Sequence, residues 1–112
     1  AQDHDALAET LNYPHVRPAN GRFTTIRTKA AFVAHSKLGT SQLEAEGWHH
    51  TVTTQMLLVH SGPDKVHLAL TNDRCHSDGT VYNQFATLWI ATLQNGHWGI
   101  QFRSSYLLTP RR

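Results

Sequence analysis

The sequence predicts an α+β protein, a curved antiparallel β-sheet packed on N-terminal helices and shaped as a cone around an internal cavity. Three observations carry this reading. Helical signals are confined to the part of the chain before Gly47. Beyond it, four long alternating segments follow one another: Trp48–His60, Lys65–His76, Val81–Leu93 and His97–Leu108. Their separators are SGPD, SDGT and QNGH. Asp78-Gly79 and Asn95-Gly96 are two-residue hairpin signals, because both central positions of such a turn need positive φ. Helices followed by an antiparallel meander place the helices on one face of a sheet.

The elements follow in order. In DHDALAETLNYP, Asp3 or Asp5 can cap a helix over Asp3–Leu11, with Ala6, Leu7, Ala8 and Leu11 on its apolar side and Pro14 ending it. Asn20-Gly21 marks a turn and RFTTIRT a short strand. Thr28 reads as the N-cap of a second short helix, KAAFVAHSKL, closed by Gly39. TSQLEAEG then reads as a connector to the sheet.

Turn chemistry sets the register of the last three strands. A type I′ turn at Asn95-Gly96 places Leu93 opposite Trp98, Ala91 opposite Ile100, Trp89 opposite Phe102 and Thr87 opposite Ser104. The Asp78-Gly79 turn places Arg74 opposite Asn83 and Asn72 opposite Phe85. One face then carries Trp89, Trp98, Ile100, Phe102 and Leu68 as a dry floor. It grades into Asn72, Arg74, Asn83, Thr87, Ser104 and Tyr106. Apolar walls with a few convergent polar groups are what a small-molecule pocket needs. For the strand after Trp48, His49, Thr51, Thr53, Gln55 and Leu57 are expected on the same side, and a bulge would exchange them for His50, Val52 and Met56. The opposite face carries His67, Ala69, Leu88, Ile90, Gln101 and Arg103. It is too apolar for a sheet face left in water, and it predicts a homodimer interface.

Composition narrows the function classes. A chain of 112 residues suits one domain, residues 1–112, and 39% hydrophobic with 16% charged residues is the balance of a folded globule. The formal charge of +2 comes from Lys and Arg spread along the chain, which leaves no basic stripe for nucleic acid. No apolar run approaches the ~20 residues that span a membrane, and a cytoplasmic protein is expected. Cys75 is the single cysteine, so no internal disulfide can form. Nine histidines invite a zinc reading, but none fall at helical i, i+4 spacing and no Cys-x-x-Cys is present. No metal and no cofactor are expected.

The motifs LNYPHVR, GWHH, PDKVHLAL, CHSDGTVY and LWIATLQNGHWGIQFRSSY, in that order, resemble the nuclear transport factor 2-like superfamily, in its SnoaL-like branch. The resemblance covers nearly the whole chain. It implies a cone whose cavity opens at the wide end. It also implies a choice among ketosteroid isomerases, polyketide cyclases, dehydratases, epoxide hydrolases and non-catalytic binding proteins, and fold does not select among these. Catalytic members place a carboxylate or a His–Asp pair in the cavity. After Glu46 this chain has only Asp64, Asp73 and Asp78, in turns or on the far face, and HVRPANG has no acid. The long helix usual in the superfamily before DHDALAETL is expected to be absent or truncated here, with apolar surface exposed beside that segment.

The expected function is binding of a small, largely apolar molecule. Acid–base chemistry of the isomerase, cyclase or dehydratase type would use His49 or His15. The expected ligand pocket is Tyr13, His15, His49, Asn72, Arg74, Asn83, Thr87, Trp89, Phe102, Ser104 and Tyr106. The alternative is a non-catalytic structural or interaction module that forms a sheet-to-sheet homodimer.

Overall fold

The computed structural model describes residues 3–107. The elements are α1 (His4–Glu9), β1 (Leu11–Ala19), β2 (Arg22–Ile26), α2 (Lys29–Ala45), β3 (His50–Ser61), β4 (Lys65–Cys75), β5 (Val81–Gln94) and β6 (His97–Ser105). The strands form one curved, open sheet in the order β2-β1-β6-β5-β4-β3. Four pairings are antiparallel, and β1 runs parallel to β6.

Helix α1 is shorter than its apolar pattern predicts. Asp3 caps it through the Ala6 N–H, and the turn closes at Thr10, so that Leu11 begins a strand. That strand, LNYPHVRPA, escapes sequence reading because Pro14 and Pro18 argue against a ladder. The ladder with β6 is irregular between Leu11 and Val16, and Pro14 falls in this stretch. The Tyr13–Pro14 peptide bond is cis. At Gly99 the β1 backbone passes so close that a Cβ there would lie 2.7 Å from the Leu11 carbonyl carbon.

Helix α2 starts as expected, with Thr28 accepting from the Ala31 N–H. It does not stop at Gly39 but runs on through TSQLEA. The true stop is Gly47, at φ +95°, where Gly47 N–H donates to Glu44 and Trp48 N–H to Leu43. These two bonds form a Schellman cap, which satisfies the last carbonyls. Gly39 has the ordinary φ of a helix and merely weakens it. His76 then donates from Nδ1 to the Gly47 carbonyl and stacks on Tyr82 at 4.7 Å, tying the helix end to the sheet.

Ala8, Leu11, Ile26 and Phe32 form a buried cluster, with Tyr13, Val33 and Ile100 against it. Asn12 locks β1 to the β5–β6 hairpin: its Nδ2 donates to the Thr92 and His97 carbonyls, and its Oδ1 faces His97 Nδ1 at 2.7 Å.

The hairpin register holds for the four pairs nearest the turn: Gln94 with His97, Leu93 with Trp98, Thr92 with Gly99 and Ala91 with Ile100. There a bulge inserts Gln101 into β6, and beyond it Ile90 pairs with Phe102, Trp89 with Arg103, Leu88 with Ser104 and Thr87 with Ser105. Because side chains alternate, one extra residue sends Phe102, Ser104 and Tyr106 to the outer face and brings Arg103, Ser105 and Leu107 to the inner one. The expected inner placement of Phe102, Ser104 and Tyr106, and the outer placement of Arg103, are thereby reversed. Gln101 itself bridges Thr92 and the Pro14 carbonyl. The β4–β5 register agrees with expectation at Arg74–Asn83, Asn72–Phe85 and Leu68–Trp89. On β3, Thr53 pairs with Asn72, then a bulge exchanges the faces, so Met56 and Leu58 replace Gln55 and Leu57 on the inner side. The expected dry floor also stops short of the turn, where Trp98 is 45% and Leu93 38% exposed. Leu7 and Leu38, on the two helices, are exposed as well.

Candidate functional site

A cleft of about 790 Å³ separates α2 from the inner face of the sheet. From α2 it is lined by Phe32, His35, Ser36, Gly39, Thr40, Gln42 and Leu43, with Glu46 just beyond the helix. From the sheet it is lined by Arg17, Arg74, Tyr82, Asn83, Trp89, Ile100 and Arg103. The space beside Gly39 is open, since a Cβ there would meet nothing within 4 Å. The walls are apolar at Leu7, Leu11, Phe32, Leu43, Trp89 and Ile100.

The polar lining is dominated by cations. Arg17 enters from β1, Arg74 from β4 and Arg103, delivered by the bulge, from β6. Burial, with Arg17 alongside, pulls the Arg103 guanidinium down to about 9. Burial and then Arg74 lower Arg17 as well. The Arg74 guanidinium lies 5.0 Å from the Phe85 ring centre and that of Arg103 5.9 Å from Trp89. Arg103 Nε is sealed from solvent without a hydrogen-bond partner among the described residues. At the other end, Glu46 accepts from the Tyr82 hydroxyl, and burial with this bond raises the phenol. His35 is lowered by partial burial and by Arg17 and Arg103, which favours the neutral ring at pH 7.

Of the residues expected around the cavity, Arg74, Asn83 and Trp89 line this cleft. Asn83 donates to the Leu107 carbonyl. Asn72 is buried within the sheet, where it accepts from Thr53. Thr87 bonds Ser105 in place of the expected Ser104 partner. Tyr13 packs on the core and donates to the Ala8 carbonyl. Phe102, Ser104 and Tyr106 follow the bulge to the outer face.

The two histidines expected to transfer protons sit elsewhere. His49 is exposed on the loop before β3, its Nδ1 2.9 Å from that of His50. His15 is 0% exposed, behind the cleft wall. It donates from Nδ1 to the Ile100 carbonyl, which leaves Nε2 as an unpaired acceptor among the described residues. Burial, then Arg103, pull this imidazole down to about 4.

On the face expected to dimerise, His67, Ala69, Leu88 and Ile90 stay outward, with His60 and His67 rings edge to face at 5.7 Å. Leu57, Ala69, Ala86, Leu88 and Tyr106 border a second depression of about 250 Å³.

Sequence reading misses Arg17 and His35 as cleft residues. Arg17 lies in a proline-bearing strand with no alternation long enough to reveal it. His35 lies on a helix whose inner side is indistinct: Phe32 is its one buried residue.

No helix among the described residues is long and apolar enough to cross a membrane. No family model and no curated protein matches the sequence. Solved structures do match. An NTF2-like protein with a cystatin-like fold from Novosphingobium aromaticivorans is 23% identical, with a TM-score of 0.70 over 97% of this chain and 71% of that one. An NTF2-like protein from Cytophaga hutchinsonii is 17% identical, with a TM-score of 0.68 over 94% and 82%. A Catenulispora acidiphila protein in complex with S-DNPA is 15% identical, with a TM-score of 0.68 over 92% and 77%. Curved open sheet, helices on its inner side and these likenesses together give the chain the nuclear transport factor 2-like, cystatin-like fold.

Proposed function

We propose that the cleft between α2 and the sheet binds a small molecule with a largely apolar body. The observation that carries this is the cleft itself. Its volume of about 790 Å³ falls within the range of ligand sites, roughly 300–1,000 Å³, and its walls pair apolar side chains with a few polar groups. The similar Catenulispora acidiphila structure is a complex with S-DNPA, which supports the reading of a bound ligand here. The SnoaL-like branch is our reading of the chain's place within it. Acid–base chemistry in this cleft would run through His35 or Glu46, the imidazole and the carboxylate of its lining. Native mass spectrometry of freshly purified protein tests the binding reading. We expect a bound species that is released on denaturation. A bare mass, together with no heat of binding for naphthalene-sized probes, would refute it.

A second reading concerns the outer face and is favoured by the bulge. Moving Arg103 inward and Phe102 and Tyr106 outward leaves this face less charged and more apolar than the alternation alone predicts. We propose that two copies pack through it.

A further inference from the structure

The cleft holds three arginines and, among the described residues, no acid paired with any of them. The one ion pair among the described residues is Lys29–Glu9, on the exterior. Glu46, the carboxylate of the lining, is engaged by Tyr82. Yet the arginines are near enough to one another for Arg17 to disfavour the charge on Arg103, and Arg74 that on Arg17. Like charges gathered in a partly buried cleft oppose folding, and they persist in a structure most readily when an anion offsets them.

Their setting supports recognition. Phe85 lies beneath Arg74 and Trp89 beneath Arg103, so each guanidinium rests on an aromatic face, which restricts it while leaving its N–H edges free. Arg103 Nε is already withdrawn from water with its hydrogen unspent. A planar fork of donors is suited to gripping an oxyanion through two parallel bonds.

We propose that Arg17, Arg74 and Arg103 form an anion-binding subsite in the cleft, so that its ligand is an amphipathic organic anion. The oxyanion head lies against the arginines and the apolar body against Leu11, Phe32, Leu43, Trp89 and Ile100. This rests on the reading of the cleft as a ligand site and adds the charge and polarity of what it takes. Carboxylate and phosphate heads share the required chemistry.

Calorimetry on the full chain with four probes of one apolar body tests it: 2-naphthoate, 2-naphthyl phosphate, 2-naphthylmethanol and 2-naphthylmethylamine. Charge-assisted bonds predict that at least one of the two anions binds tenfold or more tighter than the alcohol, and that the amine binds weakest. The better anion identifies the head group. Arg103→Gln and Arg74→Gln should each remove tenfold or more of the anion's affinity and leave the alcohol's unchanged. Arg22→Gln, at the exposed start of β2, should alter neither. Thermal melting supplies a readout that needs no organic ligand. Inorganic phosphate should raise the Tm of the unmodified chain above that in chloride of equal ionic strength, and Arg103→Gln should raise the Tm in chloride and abolish the phosphate effect. Equal affinity for anion and alcohol would overturn the subsite while leaving the apolar cleft intact. No binding of any probe, with no phosphate effect, would overturn both.

Discussion

At the scale of single residues, His15 shows how burial sets chemistry. Its ring is fully enclosed, its Nδ1 hydrogen is used by the Ile100 carbonyl, and Arg103 and Arg17 disfavour a further charge. The folded protein therefore holds it neutral, with its pKa moved from 6.5 to about 4. Between these values the unfolded chain binds a proton that the folded chain refuses. Stability from this group is thus fully present above about pH 6.5 and is lost as pH falls toward 4. At about 1.36 kcal/mol per pH unit, the loss approaches roughly 3 kcal/mol. Urea unfolding at pH 7.5, 5.5 and 4.5 should show this decline, and His15→Gln should flatten it by most of that amount. Equal slopes in both proteins would mean that carboxylates alone govern the acid transition. Gly99 is a second residue whose identity is imposed by its surroundings. A methyl there would meet the Leu11 and Asn12 backbone at 2.7–2.9 Å, and backbone cannot swing aside as a side chain can. Gly99→Ala should destabilise by about 3 kcal/mol or more, at or above the top of the overpacking range. A urea midpoint unchanged from the parent would show that β1 can lift off Gly99 freely.

At the scale of elements, what was legible in the sequence is what local chemistry determines. Asp78-Gly79 and Asn95-Gly96 mark the β4–β5 and β5–β6 hairpins. Of the two, only Asn95-Gly96 has positive φ at both central residues, and the β4–β5 register shifts beside its turn, between Arg74 and Cys75. Alternation still places Arg74, Asn83 and Trp89 on the inner face, because two-residue periodicity is a property of neighbouring residues. The elements that were missed depend on distant contacts. Strand β1 exists because β6 and β2 flank it, and its own sequence, with two prolines, reads as loop. The β6 bulge has no glycine to announce it, since Gln101 is held by Thr92 and by Pro14 of that same unforeseen strand. One inserted residue then decides which of Phe102, Arg103, Ser104 and Tyr106 face the cleft. Sequence alone ends helix α2 at Gly39 because glycine can either end a helix or sit inside one, and only the Gly47 cap distinguishes these. The same glycine yields a prediction. Its Cβ position is open, so Gly39→Ala should stabilise the protein by roughly 0.5–1 kcal/mol through helix propensity. A loss of stability in thermal melting would show that the space beside Gly39 is narrower than the cleft indicates.

At the scale of the whole molecule, the sheet separates two surfaces of different character. The inner surface and α2 enclose the cleft. The outer surface carries Leu57, Ala69, Leu88, Ile90, Phe102 and Tyr106, the last 71% exposed. Its nearest polar neighbours, Gln55, Thr71 and Ser104, are uncharged, while Asp73, which accepts from Gln84, and the His60–His67 pair lie farther along the strands. Such a patch is apolar at its centre and keeps its carboxylate, Asp73, toward one end, which is the character of an isologous interface. A stable pair would bury on the order of 800 Å² per subunit. Leu88→Arg places a charge on both sides of the axis with no partner for either, and should convert a dimer to a monomer in light scattering at micromolar concentration. Because Leu88 points away from α2, the same variant should bind 2-naphthoate as the unmodified chain does. A monomeric unmodified protein would leave the outer face without its proposed occupant. A monomeric variant that had also lost the anion would mean that the sheet transmits the interface to the cleft, and that the two surfaces act as one site.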